Sequence, residues 1–272
     1  MSITAGIDVG STYTKAIVLE GDSVIGMAMK ATGFKLTEVS EAMFDAAIAD
    51  AGISREEVQY TIATGYGRHQ CKVKDLAVTD LTAAARGAHF FFPATRTVLD
   101  IGGQTMKATK IDESARVKSF RLNDKCAAGT GAFLEKTARY MGFTTEEIGG
   151  LMDTSKEHVT ISGVCAVFAE SEVINHLSQG TSPADIMQGS ADSLSARSVQ
   201  LLKRVKAEPE YTLIGGLLRW PRMVDTIAGQ LDAEVNAPAG EMVQYTGAVG
   251  AALLGRIRLN KLAEKDAVEQ TA

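Results

Sequence analysis

The sequence predicts an α/β protein built from two lobes, and three observations carry this prediction. The octapeptide Asp8–Lys15 returns as Asp100–Lys107, and both copies read Asp, β-branched residue, Gly, four further residues and Lys. Strand-like runs flank both copies and alternate with helix-like segments. The composition, with 45% apolar residues, 22% charged residues and 26 glycines in 272 residues, is typical of a folded α/β chain with room for two lobes.

The first half of the chain reads as sheet, helix, sheet, helix. Runs rich in β-branched residues predict strands, and apolar residues at helical spacing predict helices. The predicted elements are strands at 3–9, 14–20, 23–30 and Val58–Ala63, helices at Leu36–Ala51 and around Leu81–Ala88, and the second strand-turn-strand unit at 97–111. A glycine loop, Thr64–Arg68, follows the fourth strand.

Helices dominate the second half. One apolar stripe, from Phe133 to Met141, predicts a helix over Ala132–Met141. The other predicted elements are helices at Ala166–Leu177, Pro183–Lys206, Leu217–Gln230 and Val243–Leu254, and strands at Tyr211–Ile214 and Ala233–Asn236. The charged tail from Asn260 onward is expected to fray.

Charge and hydropathy argue against two classes of partner. The net charge of -5 and the lack of a basic stripe argue against nucleic acid. The sequence contains neither a signal-peptide pattern nor a run approaching the ~18 apolar residues of a membrane span. We therefore expect a cytoplasmic protein without a membrane partner.

The duplicated turns have the chemistry of a phosphate site. Glycine lets backbone N–H groups approach an anion closely, and small hydroxyls and a lysine add further donors. A single Asp-x-Gly after a strand is usually only a tight turn, but its repetition favours a functional site. Two such turns facing each other would hold a polyphosphate and its metal.

Four segments, in this order, resemble the motifs of the actin, sugar-kinase and chaperone ATPase superfamily. They are Gly6–Lys15, Asp100–Lys107, Ile214–Gly216 and Tyr245–Ala252. The resemblance implies two ribonuclease-H-like lobes with a nucleotide cleft between them. We expect the first lobe at 1–95 and the second at 96–272, with the C-terminal helix near 243–256 packing back on the first.

The resemblance also assigns roles at this cleft. Asp8 and Asp100 would be oxygen ligands of Mg²⁺, directly or through water, and Gln104 would orient the attacking water. The base would lie near the third glycine pair. The residues expected to contact ATP or ADP are Gly10, Ser11, Thr12, Lys15, Gly102, Gly103, Gly129, Thr130, Gly131, Gly215 and Gly216.

Three cysteines are too few and too widely spaced for a disulfide framework. Cys126 and Cys165 each precede a predicted helix, where the partial positive charge of the helix N-terminus lowers the pKa of a thiol. Their spacing alone favours buried, inert residues. Two thiolates leave a zinc or 4Fe-4S site incomplete, although a twofold dimer would supply four.

The sequence segments around these cysteines resemble those of the activator family of 2-hydroxyacyl-CoA dehydratases and benzoyl-CoA reductases. The matching segments are Ala63–Arg68, Asn123–Gly131 and Cys165–Ile174, and the resemblance extends to about Gly255. It implies that Cys126 and Cys165 bind one 4Fe-4S cluster shared across a dimer. Cys71 matches no cluster motif, so we interpret it as structural.

The chain departs from the family pattern at two places. Thr105 stands where activators often have Asp, and Leu217–Pro221 replaces small residues and Asn after the third glycine pair. These differences hint at a permanent component of a reductase rather than a dissociable activator. Glu170, Glu172 and His176 lie on an amphipathic helix and are expected to form a solvated face.

The implied function is ATP-driven transfer of single electrons from ferredoxin or flavodoxin to a partner that acts on an acyl-CoA. The partner across the twofold would be an identical or a related ATPase chain. Two alternatives remain open from the sequence: a small-molecule kinase of the sugar type without a cluster, and a nucleotide-regulated scaffold without turnover. The sequence does not identify the acyl-CoA.

Overall fold

The computed structural model describes residues 2–124, 129–162 and 165–271, with side chains described as far as residue 266. These residues form two compact units. The first unit holds the residues up to Pro93, Glu113–Val117 and the chain from Tyr245 onward. The second unit holds Ala94–Asp112 and Lys118–Gln244.

The first unit contains a five-stranded sheet of order β3-β2-β1-β4-β5. Its elements are β1 (Ile3–Val9), β2 (Tyr13–Glu20), β3 (Ser23–Ala31), α1 (Leu36–Ala51), β4 (Tyr60–Thr64), β5 (Leu76–Ala77), α2 (Asp80–Phe91) and most of the last helix, α8 (Met242–Thr271). Strand β1 pairs antiparallel with β2 and parallel with β4. Helix α8 packs directly on β1, where Gly6 lies against the backbone of Ala248 and Ala252.

The second unit contains a five-stranded sheet of order β10-β9-β6-β7-β8. Its strands are β6 (Thr97–Ile101), β7 (Met106–Ile111), β8 (Val117–Asn123), β9 (Tyr211–Ile214) and β10 (Val235–Asn236). Its helices are α3 (Gly131–Tyr140), α4 (Ile148–Asp153), α5 (Ala166–Ser178), α6 (Pro183–Val205) and α7 (Pro221–Leu231). Strand β6 pairs antiparallel with β7 and parallel with β9, so both sheets share one plan.

Two predicted elements are wrong in detail. The helix expected over Leu217–Gln230 is divided into a 3-10 turn at Gly216–Arg219 and α7. Pro221 causes the break, because its ring forces the preceding Trp220 into an extended conformation and then starts a new helix. The tail from Asn260 is helical as far as Thr271 rather than frayed.

The core of the second unit is formed by residues from its sheet, α3, α6 and α7. Leu99, Leu134, Ile186 and Ile227 are among its fully buried members. Among the described residues, no helix combines the length and the apolar content that crossing a membrane requires.

Candidate functional site

The first Asp–Lys turn is a half-buried, hydrogen-bonded polar site. Asp8 pairs with Lys15 across β1 and β2, and the Lys15 ammonium donates to the Asp8 carboxylate at 3.2 Å. Thr32 fixes the turn between them: its hydroxyl donates to the Gly10 carbonyl at 2.8 Å, and its N–H donates to the Thr12 carbonyl at 2.9 Å. The turn is therefore held open at its tip, where Ser11 is exposed.

Besides Lys15, two glycines border the Asp8 carboxylate. Gly65 follows β4 with φ +86°, and a side chain there would collide with both Asp8 and the Val9 carbonyl. On the other side, a Cβ added to Gly247 of α8 would lie 3.6 Å from Asp8 Oδ2. The two glycines leave room beside the carboxylate for a small ligand such as water or a metal ion.

Thr64 adds an unsatisfied polar atom next to Asp8. The two residues are neighbours in the parallel pairing of β1 and β4. The Thr64 hydroxyl is buried and finds no hydrogen-bond partner among the described residues. A buried polar group without a partner costs free energy, so this position fits a bound polar ligand or an ordered water.

The second Asp–Lys turn repeats the first in the other unit. Asp100 pairs with Lys107 across β6 and β7, and the Lys107 ammonium donates to the Asp100 carboxylate at 3.4 Å. The exposed fractions of the two side chains, 20% and 12%, match the 18% and 14% of Asp8 and Lys15. The duplicated octapeptide therefore gives duplicated geometry.

The tip of the second turn is closed differently from the first. The Gly102 N–H donates to the Thr105 carbonyl at 2.8 Å, so Thr105 closes the turn through its backbone. Gly131 and Ala132, at the start of α3, donate their N–H groups to the carbonyls of Gly102 and Gly103 at 3.0 and 2.8 Å. The N–H groups of Gly102 and Gly131, both expected to contact a cofactor, are thus engaged within the protein.

The third glycine pair forms a tight connection after β9. Gly215 has φ +106°, and a side chain there would overlap the backbone of Ile101. Gly216 faces a residue that the sequence analysis missed, the buried Gln244, whose amide oxygen would lie 3.5 Å from an added Cβ. The only available signal was the position of Gln244 directly before the Tyr245–Ala252 motif.

Most of the segment Leu217–Pro221, which follows this glycine pair, packs into the protein interior. Leu217, Leu218 and Trp220 are buried, and Trp220 packs against the backbone of Gly149 in α4. The Arg219 guanidinium lies 5.0 Å from the centre of the Trp220 ring, a distance suited to a cation–π contact. Bulky residues therefore occupy the region directly after the third glycine pair.

The cysteines differ sharply in their surroundings. Cys165 is a free, exposed thiol at the start of α5, whereas Cys71 is fully buried and burial raises the pKa of its thiol. Cys126 lies outside the described residues. Within the part of the chain that the structure describes, no cluster of three or more His, Cys, Asp or Glu residues could bind a metal by itself.

The predicted site residues are divided between the two units. The first unit holds Asp8, Gly10, Ser11, Thr12 and Lys15. The second unit holds Asp100, Gly102, Gly103, Gln104, Gly129, Thr130, Gly131, Cys165, Gly215 and Gly216. Each unit therefore presents one Asp–Lys turn, and the second unit also carries the exposed cysteine.

Known proteins are similar to this chain in both sequence and structure. The 2-hydroxyisocaproyl-CoA dehydratase activator of Clostridioides difficile is 37% identical over 251 residues, which cover 92% of this chain and 93% of the relative. A subunit of the benzoyl-CoA reductase of Thauera aromatica is 34% identical over 272 residues, which cover 97% of this chain and 96% of the relative. The solved structure of the activator of the 2-hydroxyisocaproyl-CoA dehydratase from Clostridium difficile with bound ADPNP superimposes with a TM-score of 0.90 at 34% identity, and the match covers 97% of both chains.

The model of the BadF/BadG/BcrA/BcrD ATPase family matches residues 5–255. Together with these similarities, it confirms the predicted family and the predicted fold class with its two sheets of one plan. The chain therefore belongs to the BadF/BadG/BcrA/BcrD ATPase family.

Proposed function

We propose that this ATPase drives single-electron transfer at low potential to a partner acyl-CoA dehydratase or reductase. The observation that carries the proposal is Cys165, a free and exposed thiol at the N-terminus of a 13-residue helix. The relatives named as a dehydratase activator and as part of a benzoyl-CoA reductase support the choice of partner. The electron donor would be a ferredoxin or a flavodoxin.

In this proposal the two Asp–Lys turns bind the nucleotide. Asp8 and Asp100 would hold Mg²⁺, directly or through water, because carboxylates are the hard oxygen ligands that this ion prefers. Ser11, Thr12 and Lys15 donate to phosphate oxygens. The backbone of Gly103 at the tip of the second turn adds a donor, and the exposed Gln104 orients the attacking water.

Cys165 belongs, in the same proposal, to a metal cluster. Cys126 and Cys165 from each of two chains would supply the four thiolates that a 4Fe-4S cluster usually takes. The cluster would provide the one-electron chemistry. The start of α5 suits this role, because the partial positive charge of a helix N-terminus attracts an anionic ligand or cluster. The second chain would be a copy of this one or a related ATPase chain.

The nucleotide and the cysteines must be coupled for ATP to drive electron transfer. A ligand shifts a conformational equilibrium only by its differential affinity for the two states. Binding at the second turn would act on α3 through the carbonyls of Gly102 and Gly103, which accept hydrogen bonds from the start of that helix. Cys126 precedes the same helix in the sequence.

Anaerobic purification followed by metal analysis tests the redox part of this function. We expect about four iron and four sulfide per dimer, and Cys165→Ser should remove them while nucleotide binding persists. The matched control is Cys71→Ser, which changes a buried thiol and should keep the metal. A Cys165→Ser protein that retains the brown chromophore would refute the assignment. Release of ADP only in the presence of a sugar, with no iron bound, would favour the kinase.

A further inference from the structure

Helix α5, which begins at Cys165, is weakly anchored to the second unit. Only Ala169 and Val173 of its residues are buried, while Val167, Phe168 and Ile174 are exposed. The neighbouring α6, by contrast, has apolar and small residues buried along its whole length. Polar contacts therefore carry much of the connection between α5 and the rest of the unit.

The Glu170 carboxylate makes two of these contacts, both with α3. The Lys136 ammonium lies 2.7 Å from both of its oxygens, and the Tyr140 hydroxyl donates to one of them at 3.2 Å. Lys136 and Tyr140 both belong to α3, and the hydrogen bond to Glu170 raises the pKa of Lys136. We call Glu170, Lys136 and Tyr140 the α3–α5 latch.

A second carboxylate, that of Glu172, accepts hydrogen bonds from Ser162, which lies three residues before Cys165. Glu172 accepts the N–H of Ser162 at 2.7 Å and its hydroxyl at 2.6 Å. The expectation that Glu170 and Glu172 form a solvated face is therefore wrong, because both are half-buried and hydrogen-bonded. Glu170 therefore connects α5 to α3, and Glu172, in the middle of α5, connects it to Ser162.

The other end of α3 contacts the second Asp–Lys turn. Its first two N–H groups donate to the carbonyls of Gly102 and Gly103. A Cβ added to Gly131 would lie 3.2 Å from the Gly103 Cα, so turn and helix are in direct contact. The body of α3 is rigid, since Phe133, Leu134 and Ala138 are fully buried in the core.

We propose that Glu170 is a positioning residue that transmits displacement of the second Asp–Lys turn through α3 to α5 and Cys165. This inference rests on the nucleotide role proposed above for that turn. A contiguous path of packed and hydrogen-bonded groups is the kind of element that carries coupling between two sites. Lys136 is half exposed, so its ammonium stays hydrated when the latch opens. We therefore expect variants that lack the latch to remain folded.

Hydrogen exchange of the full-length chain, measured by mass spectrometry with and without ADPNP, tests the proposal. In the native protein the nucleotide should change the hydrogen-exchange rates of residues 102–105. It should also change those along α5 by about fivefold or more, which is the lower end of typical allosteric couplings. Glu170→Gln should keep the change at 102–105 and abolish that in α5. The exchanged pair Lys136→Glu with Glu170→Lys should restore it.

The matched control is Glu38→Gln, which removes the exposed pair between Lys35 and Glu38 at 2.9 Å in the first unit. This variant should behave like the native protein in both regions. A Glu170→Gln protein with an undiminished response in α5 would overturn the inference and leave nucleotide binding at the turn intact. Absence of any change at 102–105 in the native protein would instead overturn the proposed nucleotide role, on which the inference depends.

Discussion

Replacing Gly247 by alanine should separate the stability of this protein from its ATPase activity. Gly247 lies inside α8, where alanine is favoured over glycine by about 1 kcal/mol because glycine has more conformational freedom to lose. The added Cβ meets only the Asp8 carboxylate, at 3.6 and 3.9 Å from Oδ2 and Cγ, which is ordinary contact without overlap. The variant should therefore unfold about 2–4 °C higher than the native protein.

The same methyl group should impair hydrolysis. It would occupy the space beside Oδ2 in which we propose that water or Mg²⁺ binds. Loss of one hydrogen bond to a charged group costs about 1.5–3 kcal/mol, which corresponds to about a 10- to 150-fold loss of Mg-ATP affinity or turnover. Steady-state ADP release at varied Mg-ATP, together with thermal unfolding, measures both effects.

Gly229 provides the control, because it also lies inside a helix, α7, and a Cβ added there meets nothing within 4 Å. Gly229→Ala should raise the unfolding temperature by a similar amount and leave ATP hydrolysis unchanged. The reasoning fails if Gly247→Ala hydrolyses ATP like Gly229→Ala. It also fails if Gly247→Ala lowers the unfolding temperature, since the space beside Asp8 would then be smaller than the structure indicates.

Three further predictions concern other parts of the chain. Gly215→Ala should lower the free energy of unfolding by more than about 2 kcal/mol, because φ +106° and an overlap with backbone both oppose a side chain. Gly142→Ala, with φ +83° and open surroundings, should lower it by only about 1–2 kcal/mol. Equal losses for the two variants in urea unfolding would contradict this reasoning. Hydrogen bonds from two backbone N–H groups and a serine hydroxyl lower the pKa of Asp185 below its value in the unfolded chain. Their stabilisation is therefore present above the unfolded pKa and is lost as the pH falls through the folded pKa. When urea unfolding midpoints are measured against pH, those of Asp185→Asn should decline less steeply in acid than those of the native protein. In the folded, iron-free chain, iodoacetamide should label the exposed Cys165 faster than the buried Cys71. Peptide mass mapping over time measures the two labelling rates, and equal rates would contradict the prediction.

Much of the fold could be predicted because local signals were strong. Helix α1 begins and ends as predicted, at Leu36 and Ala51, since Gly52 adopts φ +69° and ends it. Strand β8 was not predicted, because most of its residues are exposed and show no apolar face. Helix α4 was also missed, since it has six residues, two of which are glycines.

The candidate site was predictable only where its parts lie close together in the sequence. Each Asp and its Lys belong to one octapeptide, and hairpin pairing brings them together. Gly247 lies inside the Tyr245–Ala252 motif and Gln244 directly precedes it, but the motif alone does not show which residues they contact; the packing of α8 and the connection after β9 decide that. Glu170 was misjudged for the same reason, since its partners lie on a different helix.

The two copies of the octapeptide are tied to different parts of the protein. Thr32, the residue directly after β3, holds the tip of the first copy, so that turn is braced by its own sheet. The second copy is held instead by α3, the first of three helices that stand between β8 and α6 and have no counterpart between β3 and α1. The repeat is thus asymmetric: the first turn is braced by its own sheet, and the second is bound to a helix. In the function proposed above, this difference would make the second turn the one whose displacement reaches the helical segment.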